Sequence, residues 1–430
     1  MPDLEQLHRR AREIFRHALS SVDPRHAINR AIKVNGAVVD VGEARLDASA
    51  RPIYAIAIGK AANSMALGLD DVLGPLLTAG VLTSSAPLAT LTRWQGFAGG
   101  HPLPNEASLA AARAAFELLD RANEQGAAVI FLISGGGSAM MEWPVDEEIT
   151  LADLQTANQI LVGCGARIAE VNAVRRAFSA VKGGGLARRA PRAQIVTLIV
   201  SDTNRGDEAG VASGPTFAAP REAPLALEVI AHYQLENRLP QSIVTAVRAA
   251  KHQTEPVQGS HLLLLDNMTA LEAARDKATE LGFACEILGD VCEQPIELGC
   301  ELLVSSLLSG SEPACAVSGG EFSCPVRGDG RGGRNLETAL RCAIRLDQAS
   351  KSSHFVVLSA GTDGIDGNSP AAGAIADETT LSRARDLSLN APQYLERSDS
   401  YMFFEHLNTL IVTGPTGTNV RDLRILLRSS

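Results

Sequence analysis

The 430-residue sequence lacks the features that mark several large classes of protein. It has no apolar run long enough to cross a bilayer, so a membrane-spanning helix is not expected. It has no excess of basic residues, and its net charge of -10 disfavours nucleic acid as the main partner. Its N-terminus, MPDLEQLHRRAREIFRHAL, lacks the apolar core of a signal peptide. We therefore expect a cytoplasmic protein that acts on small molecules.

Several catalytic and structural motifs are also missing from the sequence. The seven cysteines include no CxxC pair, which favours reduced thiols over a disulfide framework or a zinc site. No GxSxG elbow, no Ser–His–Asp order and no metal-spaced histidine pair occurs, so hydrolase chemistry has no support. A local basic pocket for a small anion remains compatible with the acidic composition.

What the sequence does contain is an alternation of short apolar runs and helical patterns. The chain opens with apolar residues at helical spacing from Leu4 to Val22. Near-continuous apolar runs are typical of strands covered on both faces, as in parallel sheets. The runs are IYAIAI from Ile53, AVIFLIS from Ala128, IVTLIV from Ile195, HLLLL from His261, ACAVSGGE from Ala314, HFVVLSAG from His354 and LIVTG from Leu410. Strands that alternate with helical segments predict an α/β architecture.

A chain of 430 residues exceeds the usual size of a domain with one hydrophobic core, and we therefore expect two α/β domains. We place the boundary near residue 255, after a polar segment and before the HLLLLDN strand, which gives domains 1–255 and 256–430. Nearly every buried strand ends in a polar cluster, such as GK, SGGGS, SD or SGGE. Ligands in open parallel sheets lie outside the carboxyl ends of the strands. The clusters are therefore predicted to line one site.

Two glycine-rich segments are candidates for binding an anion through backbone N–H groups. Ser134, Gly135, Gly136, Gly137 and Ser138 follow a strong strand, and successive N–H groups on such a turn can bind a phosphate. A tight strand-to-helix turn would use the same glycines. The second segment is Lys182, Gly183, Gly184 and Gly185, which follows Asn172 and Arg175. Its lysine could neutralise a phosphate as a point charge.

A third glycine-rich segment, VSGGEFSCPVRGDGRGG, begins at Val317. Gly328, Gly330 and Gly333 spell GxGxxG, but the following strand lacks the acidic residue that a dinucleotide site needs for the ribose. Arg327, Arg331 and Arg334 favour contact with a phosphate or carboxylate, ahead of a flexible hairpin tip and of a dinucleotide loop. The preceding residues Ser318, Gly319, Gly320 and Glu321 form one of the strand-end clusters.

Single polar residues at strand ends complete the set of candidates. Lys60 follows the IYAIAI strand, where it would be partly desolvated. Asp202 and Asp207 follow the IVTLIV strand and could hold Mg²⁺ or accept a hydroxyl proton. His101 precedes a helix with Ser108 as the expected cap, and a lone histidine is more often structural. Asp366 is interpreted as a turn residue that bonds to its own backbone.

Taken together, these segments resemble the glycerate 2-kinases of the MOFRL type. The similar strings run in family order from about residue 55 to 425. They are GKAA at Gly59, GGHPLPNE at Gly99, ISGGGSAMM at Ile133, NAVRRAFSAVKGGGLA at Asn172, SDTNRGDEAGVASGPT at Ser201, SGGEFSCPVRGDGRGGRNLE at Ser318, SAGTDGIDGNSPAAGA at Ser359 and TGPTGTNVRDL at Thr413.

The resemblance implies two α/β domains, a Rossmann-like N-terminal one and a C-terminal MOFRL-type one, with the active site in the cleft between them. It implies transfer of the γ-phosphoryl group of ATP to D-glycerate with Mg²⁺, giving 2-phosphoglycerate. It also implies that Lys60 and Arg334 are catalytic. The glycines of the third segment would then let the backbone close on a small anionic substrate.

The chain departs from the family pattern at three places. Asn105 replaces the aspartate of the usual PDE motif. The segment SDTNRGD replaces SDVxGDD, and this change leaves open whether Asp202 or Asp207 faces the metal. Arg421 in TNVRDL replaces the commoner asparagine and is expected at the surface. The alternative functions are an NAD(P)H-dependent hydroxypyruvate reductase, a kinase for another sugar acid, and a non-catalytic binder of sugar acids.

Overall fold

The computed structural model describes residues 4–85, 88–251, 255–309, 313–347 and 353–429, without the side chains of 290–293. Within this description the chain forms two compact units. One is Pro24–Leu265, and the other joins the residues up to Asp23 to those from Asp266 onward. These bounds differ from the expected 1–255 and 256–430. The reason is that a strand of the first sheet runs to Leu265, whereas the opening helix packs in the unit that holds the C-terminal half.

The helices and strands follow in chain order. The helices are α1 Leu4–Ser21, α2 Pro24–Ala31, α3 Ala62–Leu73, α4 Glu106–Gln125, α5 Gly137–Met140, α6 Leu151–Gly163, α7 Ile168–Phe178, α8 Gly185–Arg189, α9 Ala226–His232, α10 Gln241–Ala249, α11 Asn267–Glu280, α12 Ile296–Ser309, α13 Arg334–Leu346, α14 Thr380–Asp386, α15 Ala391–Glu396 and α16 Ser400–Leu407. The strands are β1 Ile32–Asn35, β2 Val38–Val41, β3 Ala44–Asp47, β4 Ile53–Ile58, β5 Leu77–Ser84, β6 Trp94–Ala98, β7 Ala128–Ser134, β8 Gln194–Val200, β9 Ser260–Leu265, β10 Ala284–Pro295, β11 Ala314–Ser323, β12 His354–Gly361, β13 Gly373–Asp377, β14 Leu410–Ile411 and β15 Asp422–Ser429.

The unit Pro24–Leu265 is built on a six-stranded parallel sheet in the order β6-β5-β4-β7-β8-β9. Every residue of β4 and β7 is buried, which is the pattern that predicted a parallel sheet covered on both faces. The expected α/β architecture is confirmed here. Lys60, Ser134 and Asp202 come at the carboxyl ends of three neighbouring strands, so the topology brings them to one edge of the sheet.

The second unit holds a six-stranded mixed sheet in the order β10-β11-β15-β12-β13-β14. Only its β10–β11 pair is parallel among the described strands, and its other pairs are antiparallel. The expectation of parallel strands is therefore wrong for this half. Helices cover both faces here as well, with α1 and α11 packing in one apolar cluster and α13 and α16 in another. Such burial gives near-continuous apolar runs whatever the strand direction, so the runs could not reveal it.

Two further observations concern the expected classes of protein. The six cysteines whose side chains are described are free thiols, and Cys292 lies outside the described side chains. No helix within the described ranges is both long and apolar enough to cross a membrane.

Candidate functional site

The glycine turn Ser134–Ser138 is joined to the loop after β4 by main-chain contacts. The Lys60 N–H group donates a hydrogen bond to the Gly135 carbonyl at 2.9 Å, and the Ala61 N–H group donates to the Ser134 hydroxyl at 3.0 Å. Gly59 has φ +117, and a β-carbon there would overlap the Ser134 carbonyl. The loops after the two adjacent strands are therefore fixed against each other, and the Ser134 hydroxyl contributes a hydrogen bond to this contact.

Lys60, His101 and Asp202 surround this glycine turn. A β-carbon on Gly136 would lie 3.1 Å from Lys60 Cγ and 3.3 Å from His101 Nε2, and Gly136 itself has φ +78. A β-carbon on Gly135 would overlap the Asp202 carboxylate. Glycine is thus required at these two positions because three polar side chains approach the backbone closely. The structure brings Lys60 and Asp202 together as predicted, and it adds His101, which the sequence had suggested to be structural.

A chain of hydrogen bonds continues from the turn through Ser138. The Ser138 and Ser213 hydroxyl oxygens are 2.9 Å apart, and Ser213 donates to the Asn172 side-chain oxygen at 2.8 Å. Ala212 and Ser213 have φ of +51 and +62, which non-glycine residues rarely adopt. Ser213 was not among the predicted site residues, because a left-handed serine carries no signal in the sequence.

The second glycine-rich segment has a different role from the predicted anion site. The N–H groups of Gly183 and Gly184 donate to the carbonyls of Ser213 and Gly214, at 3.1 and 2.7 Å. Backbone donors that are paired in this way are not available to a phosphate. The segment instead holds the Ser213 loop in place.

Lys182 is buried and forms an ion pair with Glu142, which also accepts a hydrogen bond from the Ser179 hydroxyl at 2.5 Å. Burial lowers the pKa of Lys182, and the Glu142 carboxylate opposes that change. The structure therefore differs from the prediction of a point charge open to phosphate. Arg175 is likewise buried and donates to the Asn158 side chain at 2.8 Å, which makes it a packing contact to α6.

The two candidate metal ligands occupy different environments. Asp202 is half-buried against the glycine turn, whereas Asp207 is exposed and approaches Gly210. No group of three or more His, Cys, Asp or Glu side chains suited to a metal ion occurs in the described part of the chain. Mg²⁺ commonly needs only one or two carboxylates besides water and substrate phosphates, so the Asp202 carboxylate at the turn fits such a site.

Arg334, in the second unit, lies at the start of α13 among acidic side chains. Its Nε donates to the buried Asp422 carboxylate at 2.6 Å, and its Nη2 lies 2.7 Å from Glu321 Oε1. Burial alone would lower the pKa of Arg334, but the two carboxylates outweigh burial and raise it. The side chain of Arg334 is partly exposed, with 34% of it accessible, and the two carboxylates keep its guanidinium charged.

Asn335 and Asp366 complete this cluster. The Asn335 side chain donates to Asp422 at 2.8 Å and accepts a hydrogen bond from Ser359 at 2.7 Å. Asp366 accepts hydrogen bonds from the N–H groups of Asn335 and Leu336, and so caps α13 rather than its own turn. Burial raises the pKa of Asp366 to about 7. The interpretation of Asp366 as a simple turn residue is therefore wrong.

The predicted cluster Ser318, Gly319, Gly320 and Glu321 divides into two parts. Ser318, Gly319 and Gly320 are buried inside β11, and a β-carbon on Gly319 would overlap the Asn267 side chain. The carbonyls of both glycines accept hydrogen bonds from the buried Arg424. These glycines thus serve internal packing, and only Glu321 reaches Arg334.

The GxGxxG loop packs against the protein's own chain. A β-carbon on Gly328 would lie 2.8 Å from the Arg397 backbone, and the Gly330 N–H group donates to the Arg397 carbonyl at 2.9 Å. Arg327 pairs with Glu297, and the Arg331 guanidinium lies over the Tyr401 ring. The close approach that requires these glycines is therefore internal, contrary to the expected closure on a substrate.

The structure shows the surroundings of two residues that depart from the family pattern. Asn105, rather than the expected Ser108, is the N-cap of α4: its side chain accepts from the Ser108 N–H group at 2.9 Å. Arg421 is buried with φ +70, so its expected place at the surface is wrong. A left-handed backbone at this position suits asparagine better than arginine.

Comparison with known proteins covers nearly the whole chain. A domain of unknown function (DUF4147) matches residues 10–248, and the MOFRL family matches residues 314–422. A "D-glycerate 2-kinase" of Thermotoga maritima is 34% identical, covering 99% of each chain. A "Putative hydroxypyruvate reductase" of Agrobacterium vitis is 36% identical, covering 97% of this chain and 93% of the relative. The crystal structure of a glycerate kinase from Thermotoga maritima gives a TM-score of 0.82 at 31% identity, covering 98% of this chain and 99% of that chain.

These matches confirm the resemblance drawn from the ordered motifs. Identity above 30% extends over both units rather than over one shared domain. The strand-end residues Lys60 and Asp202 and the α13 residue Arg334 all lie within the matched segments. The chain belongs to the glycerate kinase family in which a DUF4147 domain is followed by a MOFRL domain.

Proposed function

We propose that the protein transfers the γ-phosphoryl group of ATP to a hydroxyl of D-glycerate, giving 2-phosphoglycerate. The observation that carries the proposal is the convergence of Lys60 and Asp202 on the glycine turn at Gly135 and Gly136. Anionic ligands bind at this edge of parallel sheets, where glycine lets them approach the backbone. The Rossmann-like character of the first unit, the active site in a cleft and the cytoplasmic location belong to the same proposal.

Phosphoryl transfer depends mainly on positioning and charge stabilisation, with little covalent work for the protein. Lys60 would neutralise charge on the transferred group from its fixed place beside Gly136. Asp202 would hold Mg²⁺ or take the hydroxyl proton of the acceptor, with Asp207 as the exposed alternative. Mg²⁺, when bound, would neutralise phosphate charge. Ser134 to Ser138 would supply the backbone and hydroxyl contacts to phosphate.

Arg334 would bind the carboxylate of glycerate or the transferred phosphoryl group. Its guanidinium is already oriented by Asp422 and Glu321, which prevents it from adopting many alternative positions. A planar, pre-oriented guanidinium is well suited to bidentate contact with a carboxylate or phosphate. The partly exposed side of Arg334 leaves room for such a contact.

The competing function is NAD(P)H-dependent reduction of hydroxypyruvate, the activity for which the Agrobacterium vitis relative is named. Packing of the GxGxxG loop on the Arg397 backbone disfavours that function, because these glycines are needed for an internal contact. A kinase for another sugar acid uses the same site geometry. A binder without catalysis would show no release of ADP.

The deciding experiment incubates the purified protein with D-glycerate, ATP and Mg²⁺, and separately with hydroxypyruvate and NADH or NADPH. Phosphorus NMR of the first mixture identifies any phosphoglycerate and the carbon that carries the phosphate. A 2-phosphoglycerate signal without oxidation of NAD(P)H is the expected result. Oxidation of the cofactor without a phosphate ester would assign the protein to the reductases. A panel of longer sugar acids in place of glycerate tests the acceptor.

A further inference from the structure

The unit Pro24–Leu265 contains a cavity of about 840 Å³ that the catalytic proposal does not use. It is lined by parts of α7, α8, α9 and α10, together with the backbone of Gly183 and Gly185. Its volume falls in the range of small-molecule and cofactor sites. Its wall contains arginine side chains that bond to backbone carbonyls, and large apolar side chains that are exposed.

Arg176 and Arg188 line the cavity without an ion-pair partner in the described part of the chain. Arg176 donates to the carbonyls of Ala209 and Ser213, at 3.3 and 3.4 Å. Arg188 donates to the Gly183 carbonyl, and its Nη1 is buried without a hydrogen-bond partner among the described residues. Both side chains are half-buried, and a partly desolvated cation that has only carbonyl partners is stabilised by a nearby anion.

Burial lowers the pKa of both guanidiniums, and the nearby carboxylates Asp207 and Glu255 oppose that change only in part. Both groups nevertheless remain charged at neutral pH, because an arginine guanidinium is not deprotonated in proteins. Arg176 and Arg188 therefore bring positive charge to the wall without an ion pair to a described carboxylate, and Asp146 is the single acidic residue of the described lining.

The apolar side chains of the cavity are unusually exposed. Val145, Leu225 and Leu227 have accessible fractions of 50%, 45% and 44%, although all three line the same cavity. Phe116 and Val247 contribute to the same wall. Contiguous exposed apolar groups beside a cavity are typical of a binding site. The cavity thus offers an apolar surface next to unpaired positive charge.

We propose that this cavity binds the adenosine and the α- and β-phosphates of the nucleotide, with phosphate oxygens at Arg176 and Arg188 and the adenosine against Leu225 and Leu227, whereas the transferred γ-phosphate reaches the turn Ser134–Ser138. The inference rests on the proposed function, since it assigns a place to the phosphoryl donor. Glycerate does not match the cavity, because a three-carbon acid has no apolar part and would leave most of the volume unfilled. A nucleotide supplies both the anionic and the flat apolar part.

The cavity is connected to the glycine turn through one backbone segment. Arg176 binds the Ser213 carbonyl from the cavity side, whereas the Ser213 hydroxyl contacts Ser138 of the turn. A nucleotide at Arg176 would therefore bind next to the segment that fixes the turn.

The test measures ADP binding to the full-length protein by isothermal titration calorimetry in two pairs of variants. Arg188→Gln removes one cavity charge, and Arg192→Gln is its exposed control outside the cavity. Ala249→Trp fills the cavity from an exposed position of α10, and Thr245→Trp is its control on the same helix. We expect each cavity variant to weaken ADP binding roughly tenfold or more, whereas the controls stay within about twofold.

Kinetics separate a binding role from a structural one. We expect the cavity variants to raise the KM for ATP and to leave the KM for glycerate and the thermal unfolding midpoint near wild type. Unchanged ADP binding in both cavity variants would overturn the assignment, as would a rise confined to the KM for glycerate or an absence of ADP binding by the wild type.

The outcomes also separate this proposal from the proposed function. Active kinase whose ADP binding is insensitive to both variants would retain the function and reject the cavity. ADP binding that depends on Arg188 and Ala249, without phosphoryl transfer in the NMR assay, would retain the cavity and reject the function.

Discussion

At the scale of residues, backbone contacts with the glycine turn fix the position of Lys60. Its N–H group is bound to Gly135, and its side chain passes Gly136 at a distance that only glycine permits. If Lys60 acts as proposed, a backbone and side-chain stem fixed in this way reduce the reorganisation needed when the substrate reacts.

Replacing Lys60 with alanine should therefore lower kcat at least roughly a hundredfold, the scale seen when a preorganised charge stabiliser is lost. Steady-state assay of D-glycerate phosphorylation gives the measurement, and circular dichroism checks the fold. Lys33→Ala, at an exposed lysine of β1, serves as control and should keep wild-type activity. Wild-type turnover in a folded Lys60→Ala protein would remove Lys60 from the mechanism.

Arg334 should be sensitive even to a conservative change. Lysine cannot reproduce the contact of Arg334 Nε with Asp422 together with the contact of Nη2 with Glu321. We expect Arg334→Lys to lower kcat/KM for glycerate by roughly tenfold or more, and Arg334→Gln to lower it at least about a hundredfold. Arg327→Gln, in the same loop but paired with Glu297, is the control. Equal activity of Arg334→Gln and Arg327→Gln would contradict the assignment.

Asp366 should make the stability of the second unit depend on pH. Burial raises the pKa of Asp366 to about 7, and the charge of Asp422 raises it as well. The hydrogen bonds that Asp366 accepts from backbone N–H groups oppose this rise. In the unfolded chain the pKa returns to about 4. Between these values the folded state binds more protons, so the stability due to Asp366 is present at low pH and is lost as pH rises to about 7.

Asp366→Asn should remove this dependence. Hydrogen exchange of α13 peptides, compared between wild type and variant at the same pH, gives the measurement. The advantage of the wild type should shrink as pH rises from about 4 to about 7. The control is Asp329→Asn, at an exposed carboxylate of the same unit. A difference between wild type and Asp366→Asn that stays constant with pH would refute the expectation.

At the scale of elements, the segment from Ser179 to Gly185 contacts both the residues that follow α5 and the Ser213 loop. Glu142, just after α5, holds Lys182 by a buried ion pair. The N–H groups of Gly183 and Gly184 in turn hold the carbonyls of Ser213 and Gly214. Stability and site geometry are therefore coupled through one turn.

Lys182→Met should destabilise the unit Pro24–Leu265 by about 3–5 kcal/mol, because the Glu142 carboxylate is left buried without its partner. The double variant Glu142→Gln/Lys182→Met should recover part of that loss, since it removes the unpaired carboxylate and the new amide oxygen still accepts the hydrogen bond from Ser179. The recovery is not complete, because the buried Arg175 guanidinium loses the charge of Glu142. Urea unfolding followed by tryptophan fluorescence reports on this unit, because both tryptophans, Trp94 and Trp143, lie in it. A double variant less stable than Lys182→Met would disprove the explanation.

At the scale of the whole molecule, the second unit includes the N-terminal helix as well as the C-terminal half of the chain. Helix α1 contributes Leu7, Ile14 and Phe15 to the apolar cluster that also contains residues of α11 and β12. The N-terminal helix is thus part of the core of the unit formed by the C-terminal half.

Ile14→Asp should therefore unfold structure far away in sequence. An unpaired carboxylate in this cluster should cost at least about 2 kcal/mol. Hydrogen exchange should show loss of protection in α11 and β12 peptides. His17→Asp places the same charge on an exposed position of the same helix and should leave protection unchanged. If the two variants behave alike, α1 is not a structural part of this unit.

The sequence predicted the family, the α/β class, the parallel sheet of the first unit and the placement of Lys60 and Asp202 at strand ends on one edge of that sheet. These depend on local patterns: apolar runs form buried strands, and residues that directly follow parallel strands share one edge. The same patterns could not give strand direction in the second sheet, because helices cover both faces of a mixed sheet as well.

The tertiary structure alone decided what each glycine-rich segment contacts. Glycine at 183, 184 and 319 looks the same in sequence as glycine at 135 and 136. The first three contact Ser213, Gly214 and Asn267, whereas the other two contact Lys60, His101 and Asp202. The partners of a backbone group or a charged side chain depend on contacts between residues far apart in the chain, and the sequence around each glycine does not show them.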